Sequence, residues 1–213
     1  MRLDEEQTEV IKTFIHKCGI NYEDISSEIC DHMCSQIEDL MDNGLSFETG
    51  FEKVRQRWHL ILRKESSIWM GSYWSRPRIV LMKSEKIIKK IYLQSLLIGV
   101  LTCLFLYLLV KTELLTPSQL YKGIYISNVI LVVGAFYTWM MLYKSRYKTV
   151  YSFIFNAKLT PLMSLFFLYI WSISELSVNQ IFWVLLILTN VSTIHLITTA
   201  WKHFGVKRPI DIA

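Results

Sequence analysis

The first 34 residues carry His16, Cys18, Cys30, His32 and Cys34, side chains of the kinds that bind zinc in tetrahedral sites. Helical geometry works against a shared ion. At roughly 100° per residue, His32 lies about 200° round a helix from Cys30, so Cys30, His32 and Cys34 do not converge. Cys30 and Cys34, one turn apart, can still share a face and meet His16 or Cys18. The plainer reading is small buried cysteines and a structural histidine, and neither a metal nor a cofactor is expected. Asp31 and His32 suggest an acid/base pair, but successive helical residues do not face each other. No nucleophile, glycine-rich phosphate loop or completed ligand set accompanies them, so no catalytic residue and no enzyme are expected.

A second polar group lies in strongly apolar surroundings. Asn156, Lys158, Thr160 and Pro161 interrupt one apolar run, and Asn190, Ser192, Thr193, His195, Thr198 and Thr199 another. Ionisable groups at membrane depth are costly and mark a pathway or a buried partner. Asn156, Lys158 and His195 are therefore the intramembrane candidates. Lys158 lies ten residues beyond Lys148, roughly 15 Å of helix, within snorkelling reach of the interface. His195 can stay neutral while hydrogen-bonding another span. Pro161 is expected to kink its helix. The choice lies between two structural roles and a shared polar pocket.

The elements that hold these residues follow from hydropathy. Apolar runs at about 91–110, 123–143, 151–173 and 181–201 each approach the ~20 residues that cross a bilayer, in a chain that is 52% hydrophobic. Spans one and two, and three and four, are expected to form helical hairpins. Small residues Gly99, Gly134 and Ala135 mark places for close helix approach. Charge divides the chain: residues 1–66 hold 14 acidic and 8 basic side chains, a net of −6, whereas 67–213 hold 15 basic and 4 acidic, a net of +11. An acidic head with bases flanking apolar spans argues against nucleic acid and for membrane lipids as partners. Lys83, Lys86, Lys89 and Lys90 precede the first span, Lys144, Arg146 and Lys148 separate the second from the third, and Lys202, Lys207 and Arg208 follow the fourth. The positive-inside rule puts both termini in the cytoplasm. No secretory signal is expected, and Cys18, Cys30 and Cys34 would lie in a reducing compartment.

In the head, Val10, Ile11, Phe14 and Ile15 predict a first helix from Asp4 to about Lys17. Ile25, Ile29, Met33, Ile37 and Leu40 predict a second at about 23–42, closed by Gly44. Ser46 caps a third carrying Phe47, Phe51, Val54 and Trp58. The run Glu28-Ile29-Cys30-Asp31-His32-Met33, then Ile37-Glu38, Met41, Gly44-Leu45-Ser46-Phe47-Glu48 and Phe51, resembles the HAAS-type signalling domain of bacterial membrane proteins over about residues 5–62. Gly50 stands where that family more often has alanine. The resemblance implies a regulatory domain, with Asp31, His32 and Glu38 as the partner-binding candidates, in a bacterial inner membrane protein.

The connector at 65–82 mixes Ile68, Trp69, Met70, Tyr73 and Trp74 with Arg76 and Arg78, a composition suited to the headgroup zone. The expectation is therefore an all-α chain: a three-helix head at 1–66, an amphipathic juxtamembrane connector at 67–90, four transmembrane helices over 91–201 and a tail at 202–213. The expected work is regulatory, with the head binding a cytoplasmic protein or another copy of itself and passing that event to the spans. The alternative is a small transporter or intramembrane enzyme acting on a lipid or peptide. No second copy of the Asn-Lys-Thr-Pro break supports a transporter repeat.

Overall fold

The computed structural model describes residues 2–159 and 180–206. They fold almost entirely as helices, in two compact units. One holds Met1–Glu85, Tyr147–Val150 and the residues from Phe204; the other holds Lys86–Arg146 and Tyr151–His203.

The first unit opens with α1 (Glu5–Lys17), α2 (Glu23–Asp42) and α3 (Phe47–Leu62). Helix N-termini leave backbone N–H groups without intrahelical partners, and side chains here supply acceptors. Asp4 accepts from the Gln7 amide at 2.7 Å while the Gln7 side chain accepts from the Asp4 amide at 3.2 Å, a reciprocal capping box. Ser46 caps α3 through the Thr49 amide at 3.4 Å. Gly44, at φ +85°, closes α2 in the left-handed conformation, with the Leu45 amide donating to the Leu40 carbonyl at 3.2 Å. Ile11, Ile15, Ile25, Ile29, Met33, Ile37 and Val54 are wholly buried. Both α1 and α3 pack on α2, which carries most of this core.

The connector contains an element absent from the sequence reading. β1 (Lys64–Ser67) and β2 (Gly71–Pro77) form an antiparallel hairpin, pairing Lys64 with Pro77 and Glu65 with Arg76. Its turn needs Gly71 at φ +97°, and the Arg78 amide donates to the Arg63 carbonyl at 2.9 Å across its base. The aromatic and arginine residues that suggested a surface-lying segment thus sit largely in a hairpin, a non-local pairing that no helical period announces. Helix α4 (Arg78–Lys111) begins directly after Pro77 and runs unbroken through the lysine cluster.

The second unit contains the rest of α4, α5 (Pro117–Lys144), α6 (described over 150–159) from residue 151, and α7 (Gln180–Trp201) with the first half of the 3-10 turn Lys202–Gly205, as far as His203. Among the described residues three helices are long and apolar enough to cross a membrane: Arg78–Lys111, Pro117–Lys144 and Trp183–Gly205. They match the expected first, second and fourth spans. Of the expected third span, 151–173, residues 160–173 lie outside the described residues, Thr160 and Pro161 among them.

Among the described residues the main helix pairing in this unit joins elements that are not consecutive. The principal partner of α5 is α7, and the pair runs parallel at a constant offset: Asn190 Nδ2 donates to Ser127 Oγ at 3.1 Å and Trp201 Nε1 to Thr138 Oγ1 at 3.3 Å, each 63 residues apart. Tyr121 stacks on Trp183 with centroids 4.3 Å apart. Gly134 lets the Ile197 side chain approach, and Ala135 is buried. Gly99 on α4 does the same for α7 more closely: a Cβ there would collide with Leu188 Cδ2. Small residues thus occur where helices approach, as expected of membrane helices.

Candidate functional site

The N-terminus of α2 is the most connected polar feature of the first unit. The Glu23 amide donates to the Lys148 carbonyl at 2.9 Å, and Asp24 Oδ1 accepts from the Val150 amide at 3.0 Å. Val150 is the first residue of α6. Asp24 therefore caps a helix that is 126 positions away in sequence, satisfying one of its free amides. Thr149 and Val150 are fully buried. Asp24 Oδ2 is buried as well and has no hydrogen-bond partner among the described residues. Burial pushes the Asp24 carboxyl above the usual carboxylate range, against the opposing pull of the Val150 amide and Lys83.

The same end of α2 holds two further segments. Tyr22 Oη accepts from Arg76 Nε at 3.0 Å, linking α2 to β2, and Arg76 lies 5.5 Å over the Trp74 ring. Glu28 pairs with Lys83 of α4 at 2.8 Å. Ser67 donates to the Glu85 carboxylate, tying β1 to α4. One helix end thus grips the hairpin, the first turns of α4 and the segment that launches α6. Nothing in local spacing distinguishes Asp24 from any other acid in a first helical turn, so sequence reasoning missed it.

The predicted partner-binding residues sit elsewhere. Asp31 and His32 are exposed on α2, on turns whose other side carries Ile29 and Met33 into the core. Glu38 accepts from the Leu3 amide at 3.0 Å, fastening the chain ahead of α1. Of the candidate metal ligands, Cys30 and Cys34 stand 3.9 Å apart, sulfur to sulfur, while His16 meets Asn21 at 3.1 Å. Burial raises both thiols, Cys34 to about 12, so neither is a thiolate at neutral pH. Among the described residues no three His, Cys, Asp or Glu side chains gather as a metal site.

In the second unit His195 Nδ1 and Ser95 Oγ are 2.8 Å apart, joining α7 to α4. Lys158 Nζ lies 5.7 Å from the centroid of Tyr92. Tyr92 and Ser95 are one turn apart, so Lys158 and His195 meet neighbouring turns of α4. Asn156 is exposed. At the foot of the α5–α7 seam, His203 Nε2 and Ser145 Oγ are 2.8 Å apart.

No family model, curated protein or solved structure matches this chain.

A third feature has no counterpart in the sequence reading. Because α1 and α3 both lie on α2, an open groove runs between them, in two adjoining hollows of about 590 and 600 Å³ that share Phe14 and Arg55. Two aromatic rings line it, Phe14 meeting Phe51 edge-on at 5.7 Å.

Proposed function

We propose that this chain is a regulatory protein of a bacterial inner membrane, with four spans, both termini cytoplasmic, and an N-terminal helical head that binds a protein and passes the event to the membrane bundle. The observation that carries the reading is the hold of α2 on residues 148–150: a change in the head that shifts Glu23 and Asp24 removes the cap from α6. Coupling needs contiguous physical links, and the bonds from Glu23 and Asp24 to residues 148 and 150 supply one between α2 and the start of α6. The HAAS-like motif and the exposed Asp31 and His32 support a binding role for the head.

The test uses the full-length protein in lipid nanodiscs as bait, beside an Asp31→Ala, His32→Ala variant of equal helicity. A captured protein lost in the variant is purified, added back, and followed by hydrogen exchange. Altered exchange at 147–159 supports coupling. A change confined to the head sinks the coupling, and the absence of any specific protein sinks the binding.

A second reading, an intramembrane enzyme or small transporter acting on a lipid or peptide, has one observation in its favour: the hydroxyl–imidazole contact of Ser95 and His195 has the spacing of a nucleophile and its base. Among the described residues no carboxylate hydrogen-bonds the other ring nitrogen of His195, which leaves the pair without an orienting group. Loss of a lipid- or peptide-directed activity in Ser95→Ala, with the head intact, would favour this reading over regulation.

A further inference from the structure

The groove between α1 and α3 has a direction. At its α1 N-terminal end stand Glu6 and Glu9, Glu9 also holding Lys12 at 3.4 Å. In the middle Arg55 is clamped by Glu52 through two bonds of 2.7 and 2.8 Å, which cancels their charges locally. Toward the helix C-termini come Lys17, His59 and Arg63. The side chains of Glu6, Lys17, His59 and Arg63 make no hydrogen bond or ion pair among the described residues. Acid leads to base along one apolar trough whose lip carries Val10, 43% exposed.

Such a surface is complementary to itself. Rotation by a half-turn about an axis crossing the groove near Phe14 and Arg55 lays the acidic end on the basic end of an identical groove, twice over, and apposes the two apolar floors. That is the requirement of an isologous two-fold interface, in which one patch serves both partners. Helix dipoles act in the same sense, since the antiparallel helices this rotation creates place acidic first turns beside carbonyl ends that carry the cations.

We propose that the occupant of the α1–α3 groove is the same groove of a second copy of this chain, α1 lying antiparallel to α1 across a two-fold axis. This rests on the reading of the head as a protein-binding module and names its partner. The two aromatic rings supply the dehydrated centre and the unpaired charges at the two ends set register and exclude other partners. Asp31 and His32 take no part in this contact and stay available to a different protein.

The test is self-association of the full-length protein in nanodiscs and in liposomes at graded dilution, read by energy transfer between labelled copies. The wild type is expected to dimerise. Glu6→Lys with Glu9→Lys makes both ends basic, and Lys17→Glu with Arg63→Glu makes both acidic; each is expected to weaken the dimer about tenfold or more. All four substitutions together exchange the two ends and are expected to restore it, which loss of folding cannot do. Val10→Glu, on the exposed lip, is expected to weaken it independently. A monomeric wild type, or charge reversals that leave the dimer unchanged, overturns the proposal. Capture of a different protein, with altered exchange at 147–159, would then leave the regulatory reading standing, so the two failures are distinguishable.

Discussion

The two units of this chain differ in what they expose and in how many polar groups they bury. In the head, Ile11, Ile15, Ile25, Ile29, Met33 and Ile37 are wholly buried while acids and lysines face outward. In the second unit Leu97 and Phe105 are 59% and 61% exposed, whereas Ser95, Asn128, Thr138, Thr193 and Thr199 are buried. The difference is one of solvent. Water drives apolar groups inward, but lipid is as apolar as leucine, so membrane helices associate through close packing and hydrogen bonds. The seam of Ser127, Thr138 and Ser145 against Asn190, Trp201 and His203 does for the second unit what the isoleucine stripe does for the head.

That contrast can be broken at graded cost. The largest effect is expected from Ile29→Ala, a cavity in the water-facing core costing about 2–5 kcal/mol, read from exchange of α2 amides. Leu97→Ala on the outward face of α4 is expected to change stability in micelles by no more than about 0.5 kcal/mol. A comparable loss at both positions would sink the comparison of the two surfaces. Next is Gly99→Leu, which forces α4 away from Leu188 at about 1–3 kcal/mol, measurable as a lower thermal midpoint in detergent.

Asp24→Ala should cost about 1 kcal/mol and raise amide exchange at 150–153, because the cap of α6 is lost. Asp24→Asn keeps an acceptor and should largely spare it. The pH dependence separates the two effects. Burial raises the Asp24 carboxyl in the folded state, so its contribution to stability is full below the unfolded carboxylate range and is lost as pH rises through the raised value. Mild acidification from neutral should therefore stabilise the wild type relative to Asp24→Asn, and parallel pH profiles would refute the assignment.

In the head, Gly50→Ala should stabilise by up to about 1 kcal/mol, since a methyl there meets Ile37 and Leu40 at ordinary contact distances of 3.6 and 3.7 Å in a helix interior. Among the polar contacts, Asn190→Ala is expected to cost about 0.6 kcal/mol, typical of one hydrogen bond between membrane helices.

Much of this was legible in the amino acids, and the reason is local. Asp4, Ser46 and Gly44 cap or close helices by contacts within a few residues, so the start of α1, the end of α2 and the start of α3 follow from spacing alone. Apolar runs of bilayer length announced the three described helices that are long and apolar enough to cross a membrane. The hairpin of β1 and β2 was missed because its register depends on pairing across a turn, in a segment whose aromatic and basic composition also suits a headgroup surface.

The candidate sites divide along the same line. His195 and Lys158 stood out because polar groups are rare in apolar runs, but only the packing names Ser95 and Tyr92 as the groups they meet. Asp24 is one first-turn acid among several until the fold brings Val150 to it. The α1–α3 groove likewise needs both helices seated on α2. Helix type, length, capping and the sign of each charge are properties of neighbouring residues, and the chain alone determines them. Which helix end caps α6, which seam joins α5 to α7 and which surfaces stay open are decided by contacts between residues far apart in the chain, and those exist only once it has folded.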